Sequence, residues 1–506
     1  MRKAIQGVVL ALIAAIVLLA LPLSALATGT PELSSWEDLA GKRVGMLTGA
    51  PFEEAVRAKN PQVGEMSYYS NMPDLFLALK SNKVDAMVTN QAIGTLYQSR
   101  NAEACLFPEP LAKSEMGTAF PKGSPHLDAW SAITERLMHD GTADKLWDKW
   151  TGADDSIKTV PEQSWPGTNG TLRVAACATL EPCSYLGESG MLGFDIEVLL
   201  IAAQELDVHL EFMPMEFSEI LASLETGKAD LGCGSILITP ERKESVDFAT
   251  THANDLVLLV RSQAAAGDTE TSFVGSLAES FDKTFIREKR WLLILQGLAT
   301  TLVIAVSSGA LGTLLGFLSV LLRRRGNRVA SWLVAAFEGL MSHLPIVVVL
   351  MVFYYVVFGA INLNGIVVAI IVFTLAFGAS AGAIMWNSVR GVDPGQAEAA
   401  RALGATERET FFDIVLPQAA NNFMPVLRGQ LVSLVKDTAV VGYIAVIDLT
   451  RAGDLIRSRT MEAFFPLIAT AIIYFALCHL MASLAAAIAR RLDYENKPKT
   501  IKGVEL

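Results

Sequence analysis

The 506-residue chain has little of what marks catalytic, metal-binding or disulfide-stapled proteins. Its five cysteines (Cys105, Cys177, Cys183, Cys233 and Cys478) include no C-x-x-C pair, so neither a zinc site nor a disulfide framework is signalled. No G-x-x-x-x-G-K-[ST] run occurs, and Gly41-Lys42 and Gly227-Lys228 lack the surroundings of a phosphate-cradling loop. No H-E-x-x-H or Ser/His/Asp arrangement is present, and the six histidines are scattered, so no catalytic residue and no metal ligand is nominated. Charge is sparse at 18%, with a formal net charge of −11. Without clustered Lys and Arg to neutralise phosphates, nucleic acid is excluded as a partner.

Apolar residues are abundant: they make up 52% of the chain, and the mean hydropathy is +0.39. The length allows about three domains. Apolar runs crowd the N-terminus and everything after Trp291, while the stretch between reads as ordinary globular sequence. Arg2 and Lys3, an apolar run from Ala4 to Leu23 and then Ala25-Leu26-Ala27 form the layout of a cleavable secretory signal over residues 1–27. The run also approaches the roughly 20 residues that span a bilayer, so an uncleaved anchor is the alternative. Either reading puts the soluble stretch from residue 28 outside the cytoplasm.

Two soluble segments share one design. GKRVGMLTG (41–49) is followed by LALKSNKVDAMV (77–88), and GTLRVAA (170–176) by LASLETGKADLGCG (221–234). In each, a basic residue leads into a β-rich run. Later a helix-like segment ends in a polar turn, and a Lys-x-Asp enters another apolar strand. Strands alternating with helical patterns predict a parallel-sheet α/β lobe. Two such lobes in tandem predict a clamshell with a ligand cleft between them.

Residues 172–249, through GFDIEV, LETGKADL and ITPERKESVDF, resemble lobe one of the periplasmic binding proteins for polar amino acids. Residues 32–150, through LAGKRVGMLTG, KVDAMV and DGTADKLWDKW, resemble lobe two of that family. Lobe two therefore precedes lobe one, as in a circular permutation, with 151–170 as linker and 171–262 as the lobe one-like segment. The resemblance implies that Arg242 holds a ligand carboxylate, with Thr239 and Ser235 adding hydroxyl or backbone contacts. The chain departs from the family at other cleft positions. Cys177 stands for the usual Asp, Leu180 for an aromatic, Leu237 for a hydroxyl residue, Asn90 for the ammonium-binding Asp, and Ala50-Pro51 for a Ser/Thr pair. Losing both carboxylates leaves a ligand ammonium uncompensated, so the expected solute is small and polar but not an ordinary free α-amino acid, or it binds weakly. Cys177, Cys183 and Cys233 are expected as neighbouring buried thiols without a function.

After a polar linker (263–290), apolar segments near 291–322, 330–358, 364–389, 423–449 and 463–489 each have spanning length. The expected fold class is mixed: a two-lobed α/β binding-protein domain of the Venus-flytrap type, then an all-α membrane domain of about five helices (291–492) and a tail (493–506). Gly309, Gly312 and Gly316 favour close helix approach. Arg323, Arg324, Arg325, Arg328, Arg490 and Arg491 obey the positive-inside rule, while Arg287, Lys289, Arg290, Arg451, Arg457 and Arg459 contradict it.

EAARALGATERETFFDIVLP (398–417) reads as a short amphipathic helix, a turn and a second short helix closed by proline. Glu398, Ala399, Ala400, Gly404, Ile414, Leu416 and Pro417 match the EAA signature of ABC importer permeases. QGLATTLVIAVSSGALGTLLG (296–316), LPQAANNFMPVLRGQLVSLVKDTAVVGYI (416–444) and AFFPLIATAIIYF (463–475) extend the resemblance to polar amino acid permeases over most of 290–492. That resemblance implies a loop docking on a separate ATPase, which binds ATP and Mg, and a homodimer in the bacterial inner membrane. Ser342-His343-Leu344-Pro345 replaces the family's Gly-Thr-Pro, and His343 is read as a packing residue. Lys436 and Asp437 match the family's Lys-Asp-Thr, and helix–helix bonding is expected of them before a solute pathway. A ligand-gated channel would need a pore and selectivity loop and no EAA loop. A sensor would need an output domain, and none is read after Leu492.

Overall fold

The computed structural model describes residues 33–492 apart from 34, 102–103, 153, 188, 262–277, 360, 362, 461 and 463. The segment 1–27, most of the 263–290 linker and the 493–506 tail lie outside the described residues. The chain forms two compact units. One holds residues up to Leu295 with 359–362 and 450–470; the other holds 296–358, 363–449 and the chain from Ala471.

The first unit is built on strands. β1 (Val44–Leu47), β2 (Met66–Tyr69), β3 (Ala86–Asn90), β4 (Ala104–Leu106) and β5 (Ala112–Pro121) precede β6 (Thr171–Cys177). β7 (Thr179–Leu180), β8 (Ser184–Gly187) and β9 (Gly190–Leu192) make a small sheet of their own; β10 (His209–Met215), β11 (Leu231–Leu237) and β12 (Val246–Arg261) follow. The main sheet runs β10-β6-β11-β5-β12-β3-β1-β2, with β4 also on β12. Parallel triplets, rich in Val, Leu and Met, flank the antiparallel pair β5 and β12. β12 begins against the end of β5 at Val246–Pro121 and finishes beside β3, with Leu256 opposite Asn90. These two strands therefore cross between the lobes.

The helices Leu127–His139 and Thr142–Thr151 close the lobe two-like stretch in sequence, but in space they pack on the Phe194–Glu205 helix of the other stretch. Lys149 Nζ lies 2.8 Å from both carboxylate oxygens of Glu197, and Trp150 Nε1 donates to the same group at 2.6 Å. The leading lobe is thus 33–111 with the end of β12, and the trailing lobe is the chain from β5 to the start of β12.

The shared design of the two lobes has a physical cause. The Arg43 guanidinium donates to both oxygens of Asp85, whose carboxylate also accepts the Arg43 N–H, and Arg43 Nη2 caps the turn at Asn82 O. Arg173 repeats every one of these bonds with Asp230 and Gly227 O. Each Arg–Asp pair pins the start of one strand to the start of its neighbour, and bidentate charge-assisted bonds hold that register.

Among the described residues three helices are long and apolar enough to cross a membrane: Trp291–Arg324, Gly365–Arg390 and the one starting at Phe465. Two bent pairs raise the total to five. One pair, Arg328–His343 with Ile346–Val357, bends by 108° at Leu344-Pro345, where the residue before proline is extended and Pro345 offers no N–H to continue the helix. His343 bonds locally, with Nδ1 2.5 Å from Gly339 O. The other pair joins Glu407–Ile444 to Leu449–Thr460. Leu449–Thr460 carries three arginines and an aspartate that are paired or packed inside the first unit, so the expected 423–449 span is formed by the chain before it. Gly312 and Gly316 approach Gly378 and Gly382: a Cβ at 316 would sit 2.7 Å from Gly382 N, and one at 312 would sit 3.1 Å from Gly378 N. The backbones of two apolar helices touch there, as small residues permit in bilayers.

Candidate functional site

The cleft is assembled from strand ends. The Pro240–Ser245 helix is capped by Thr239, whose Oγ1 accepts the Arg242 N–H at 3.3 Å. That cap holds Arg242 beneath the surface. Its Nη1 donates to Leu237 O and its Nη2 to Gly49 O, each at 2.7 Å, and the Phe217 ring lies 5.6 Å away. Gly49 belongs to the leading lobe, so one guanidinium spans the cleft. Burial pulls its pKa down to about 10, the expected direction for a desolvated cation.

Ser235 sits in left-handed backbone (φ 48°), which turns its N–H onto Asp195 Oδ2 at 2.6 Å. Asp195 is buried, and desolvation pushes its pKa up to about 7 against the lowering effect of the Ser235 and Gly234 N–H donors. Asn90 caps the Gln91–Arg100 helix through Ile93 N at 2.9 Å, and its Nδ2 approaches Cys183 Sγ at 4.0 Å. Cys177 Sγ lies 3.7 Å from Thr179 Oγ1. Cys177, Cys183 and Cys233 are free, buried thiols raised by desolvation, the opposite of what a reactive cysteine needs.

Arg242, Thr239, Ser235, Asn90 and Cys177 therefore all lie at strand and helix ends around the meeting of the lobes. Asp195 is not singled out by the sequence; it stands inside GFDIEV, and nothing in the motif separates a buried carboxyl from a surface one. A cavity of about 520 Å³ opens beside these residues, between Gln91 and Arg100 of the leading lobe and Trp147, Trp150, Lys158 and Pro182 of the trailing lobe. None of the five nominated residues lines it.

Sequence reasoning also misses the role of the arginines of Leu449–Thr460. Arg451 pairs with Glu216, Arg457 with Asp74 at 2.9 Å, and Arg459 with Glu288 at 2.8 Å; Arg290 reaches Glu288 at 3.2 Å and Arg287 reaches Asp282 at 2.8 Å. The five arginines among the six basic residues that break the positive-inside pattern thus have acidic partners within the first unit. The signal is present as a conflict with the charge rule, but the partners are distant in sequence.

In the second unit, Asp393 caps the Pro394–Ala402 helix through Gly395 N at 2.8 Å. Glu398 and Ala399 are exposed, and Ala400 is half-buried. Gly404 ends the helix at φ +91°, a conformation that a side chain would strain. Leu403 beside it is 90% exposed. Thr406 and Glu409 form a capping box that starts the next helix. That helix is not short and does not end at Pro417: it passes through a π-turn (Thr410–Val415) into Leu416–Asp437. Pro417 sits in the first turn of Leu416–Asp437, next to the widened turn, where a missing N–H is tolerated. Ile414, Leu416 and Pro417 are half-buried. Arg324 donates to Glu407 O and stacks 4.4 Å over Phe411, fixing the loop to the end of the Trp291–Arg324 helix.

Lys436 and Asp437 are exposed at the end of Leu416–Asp437, and no bond from either to another helix is found among the described residues. The helix tightens to 3-10 at Thr438 and continues to Ile444.

The model of bacterial extracellular solute-binding proteins, family 3, matches residues 172–423. The match starts at β6 and runs past β12 into the apolar helices, whereas the structure supplies the remaining lobe from residues 33–111. The L-cystine transport system permease protein TcyB of Bacillus subtilis is 30% identical over 211 residues, covering 41% of this chain and 90% of its own. This chain belongs to the amino-acid ABC transporter permeases. The permease is also 31% identical to the arginine transport system permease protein ArtQ of Bacillus subtilis (39% of this chain, 92% of the relative). It is 30% identical to a putative glutamine transport system permease protein GlnP of Rickettsia prowazekii (40% and 93%). These relatives are transport proteins, not enzymes. The permease is a membrane protein of an ABC importer with a fused solute receptor.

Proposed function

We propose that this permease takes up amino acids or related small polar solutes across the bacterial inner membrane, with its receptor outside and a separate ATPase docked on 398–417. The carrying observation is the exposed helix–turn–helix there: Glu398 and Ala399 lie open, Leu403 is 90% exposed, and the turn is made possible by Gly404. The open turn with small residues on its leading helix leaves room for a partner to approach closely, which supports the docking reading. ATP and Mg belong to that partner.

The division of the loops supports the orientation. Segments 359–362 and 450–470 belong to the receptor's unit, and Lys228 Nζ donates to Ile361 O at 2.9 Å. The 323–328 turn and the 390–416 loop belong to the other unit and hold each other through Arg324. An alternating in–out chain of five spans produces this sorting. Two such chains, each supplying one docking loop, make the homodimer the simplest assembly.

The solute class follows from the cleft. The buried Arg242 guanidinium donates to the neutral carbonyls of Leu237 and Gly49, which leave its charge uncompensated, so it favours a solute carboxylate. Asn90 and Cys177 offer no charge to an ammonium. Co-expression with an ABC ATPase tests the docking: the wild-type chain retains the ATPase on purification, and the Glu398→Trp/Gly404→Trp variant loses it. Retention in that variant overturns the docking assignment. A thermal-shift panel of L-cystine, L-arginine, L-glutamine and their deaminated acids tests the solute, because binding raises apparent stability.

A further inference from the structure

The Leu449–Thr460 helix is amphipathic and basic, lies in sequence between two apolar helices, and has its polar residues inside the receptor's unit. It touches both lobes. Arg451, 4% exposed, pairs with Glu216 of the trailing lobe, close enough for its charge to act on Cys177 at the end of β6. Arg457, 3% exposed, pairs with Asp74 at the start of the leading lobe's Met72–Lys80 helix and donates to Pro73 O at 3.3 Å. Ser458 Oγ donates to Thr179 O of the trailing lobe at 2.8 Å. Arg100 of the leading lobe donates to Arg459 O at 3.3 Å while holding Glu181 of the trailing lobe at 2.9 Å. Trailing-lobe and leading-lobe contacts thus alternate along a single helix.

We propose that Leu449–Thr460 is a clasp: a basic helix of the permease's own chain that binds the mouth of the two-lobed receptor and must be released for the lobes to separate. Separating the buried Arg451 guanidinium from Glu216 leaves a charge unpaired in the interior, a cost that opposes release. Asp454, itself buried, also pairs with Arg457 at 2.9 Å, so one guanidinium joins the helix's own carboxylate to Asp74. Lobe opening is thereby tied to the segment joining two membrane helices, so a solute that changes lobe spacing also moves a load on that segment. The clasp rests on contacts within the receptor's unit; its consequence for transport rests on the importer function proposed for the chain.

Hydrogen exchange on the full-length chain in nanodiscs tests it. Asp74 is 40% exposed, so Asp74→Asn removes one partner without emptying a core. Amides of 450–460 are expected to exchange about tenfold faster in that variant, together with those of 91–100 and 179–187, which meet at Arg100, Thr179 and Glu181. The reversed pair, Asp74→Arg with Arg457→Asp, restores protection in part, and Arg451→Gln/Arg457→Gln loses more than Asp74→Asn. Unchanged exchange of 450–460 in Asp74→Asn and in the double variant overturns the clasp, as does acceleration confined to 450–460. ATPase co-purification is read on the same samples; its loss from the wild-type chain counts against the importer function and leaves the clasp standing.

Discussion

The receptor and the helical unit solve the same problem, satisfying the backbone and hiding apolar surface, in opposite ways. Between residues 33 and 261 the only exposed large apolar side chains among the described residues are Tyr68 and Ile157. From Phe281 onward they are frequent and include Leu292, Val303, Leu311, Leu318, Trp332 and Val356. The receptor joins its strands through inter-strand bonds and fixes register with Arg–Asp pairs. The helical unit satisfies its backbone within each helix and closes distance by omitting side chains at Gly312, Gly316, Gly378 and Gly382. The contrast teaches that hydrophobicity alone does not define an interior: the surrounding solvent decides which face needs covering.

That contrast breaks most visibly at the 398–417 loop proposed to dock the ATPase, a polar, exposed piece of the helical unit. Gly404→Trp is expected to abolish ATPase co-purification while receptor thermal stability is unchanged, because the positive φ and the open surface are both local. The next effect tests packing without side chains. Gly316→Leu pushes a side chain into the Gly382 backbone and should destabilise the helical unit by about 1–3 kcal/mol or more, seen as a lower melting temperature in detergent with little change in the receptor transition.

A third experiment concerns charge inside the receptor. The Asp195 pKa is raised in the folded protein, so its contribution to stability is present below the unfolded carboxylate pKa near ~4 and is lost as pH rises toward about 7. Buried His252 has the opposite sign: its pKa is lowered to about 3, so its contribution is present above about 6.5 and is lost as pH falls. Asp195→Asn should therefore leave stability nearly unchanged at about pH 4 and raise it at about pH 8 relative to wild type, measured by denaturant titration. An equal effect at both pH values would show that Asp195 stays ionised. The smallest expected effect compares the two lobes: Asp85→Asn and Asp230→Asn should each cost about 1 kcal/mol, and by similar amounts, since their bonds to Arg43 and Arg173 match one for one. Unequal costs would mean that one lobe carries its strand register by other contacts.

Much of this organisation was legible because it is local. The Lys-x-Asp turns and the helix–turn–helix around Gly404 are written in neighbouring residues, and turn chemistry acts over three or four positions. The continuation of the second loop helix through Pro417 was not legible, because proline reads as a stop unless a π-turn beside it is known. Lys436 and Asp437 were read for helix–helix bonding first and a solute pathway second; both are exposed, and no bond from either to another helix is found among the described residues.

By itself, then, the sequence determined the two-lobed receptor, the apolar helices and the helix–turn–helix around Gly404, since each depends on periodicity, composition or contiguous motif. Only the tertiary structure decided three other things: that helices 127–151 pack on the trailing lobe, that Asp195 is a buried carboxyl of raised pKa, and that Arg451 and Arg457 answer Glu216 and Asp74. These depend on pairs separated by dozens to hundreds of residues. Burial and partner identity are set by the meeting of surfaces, and no local rule of propensity or charge encodes that meeting.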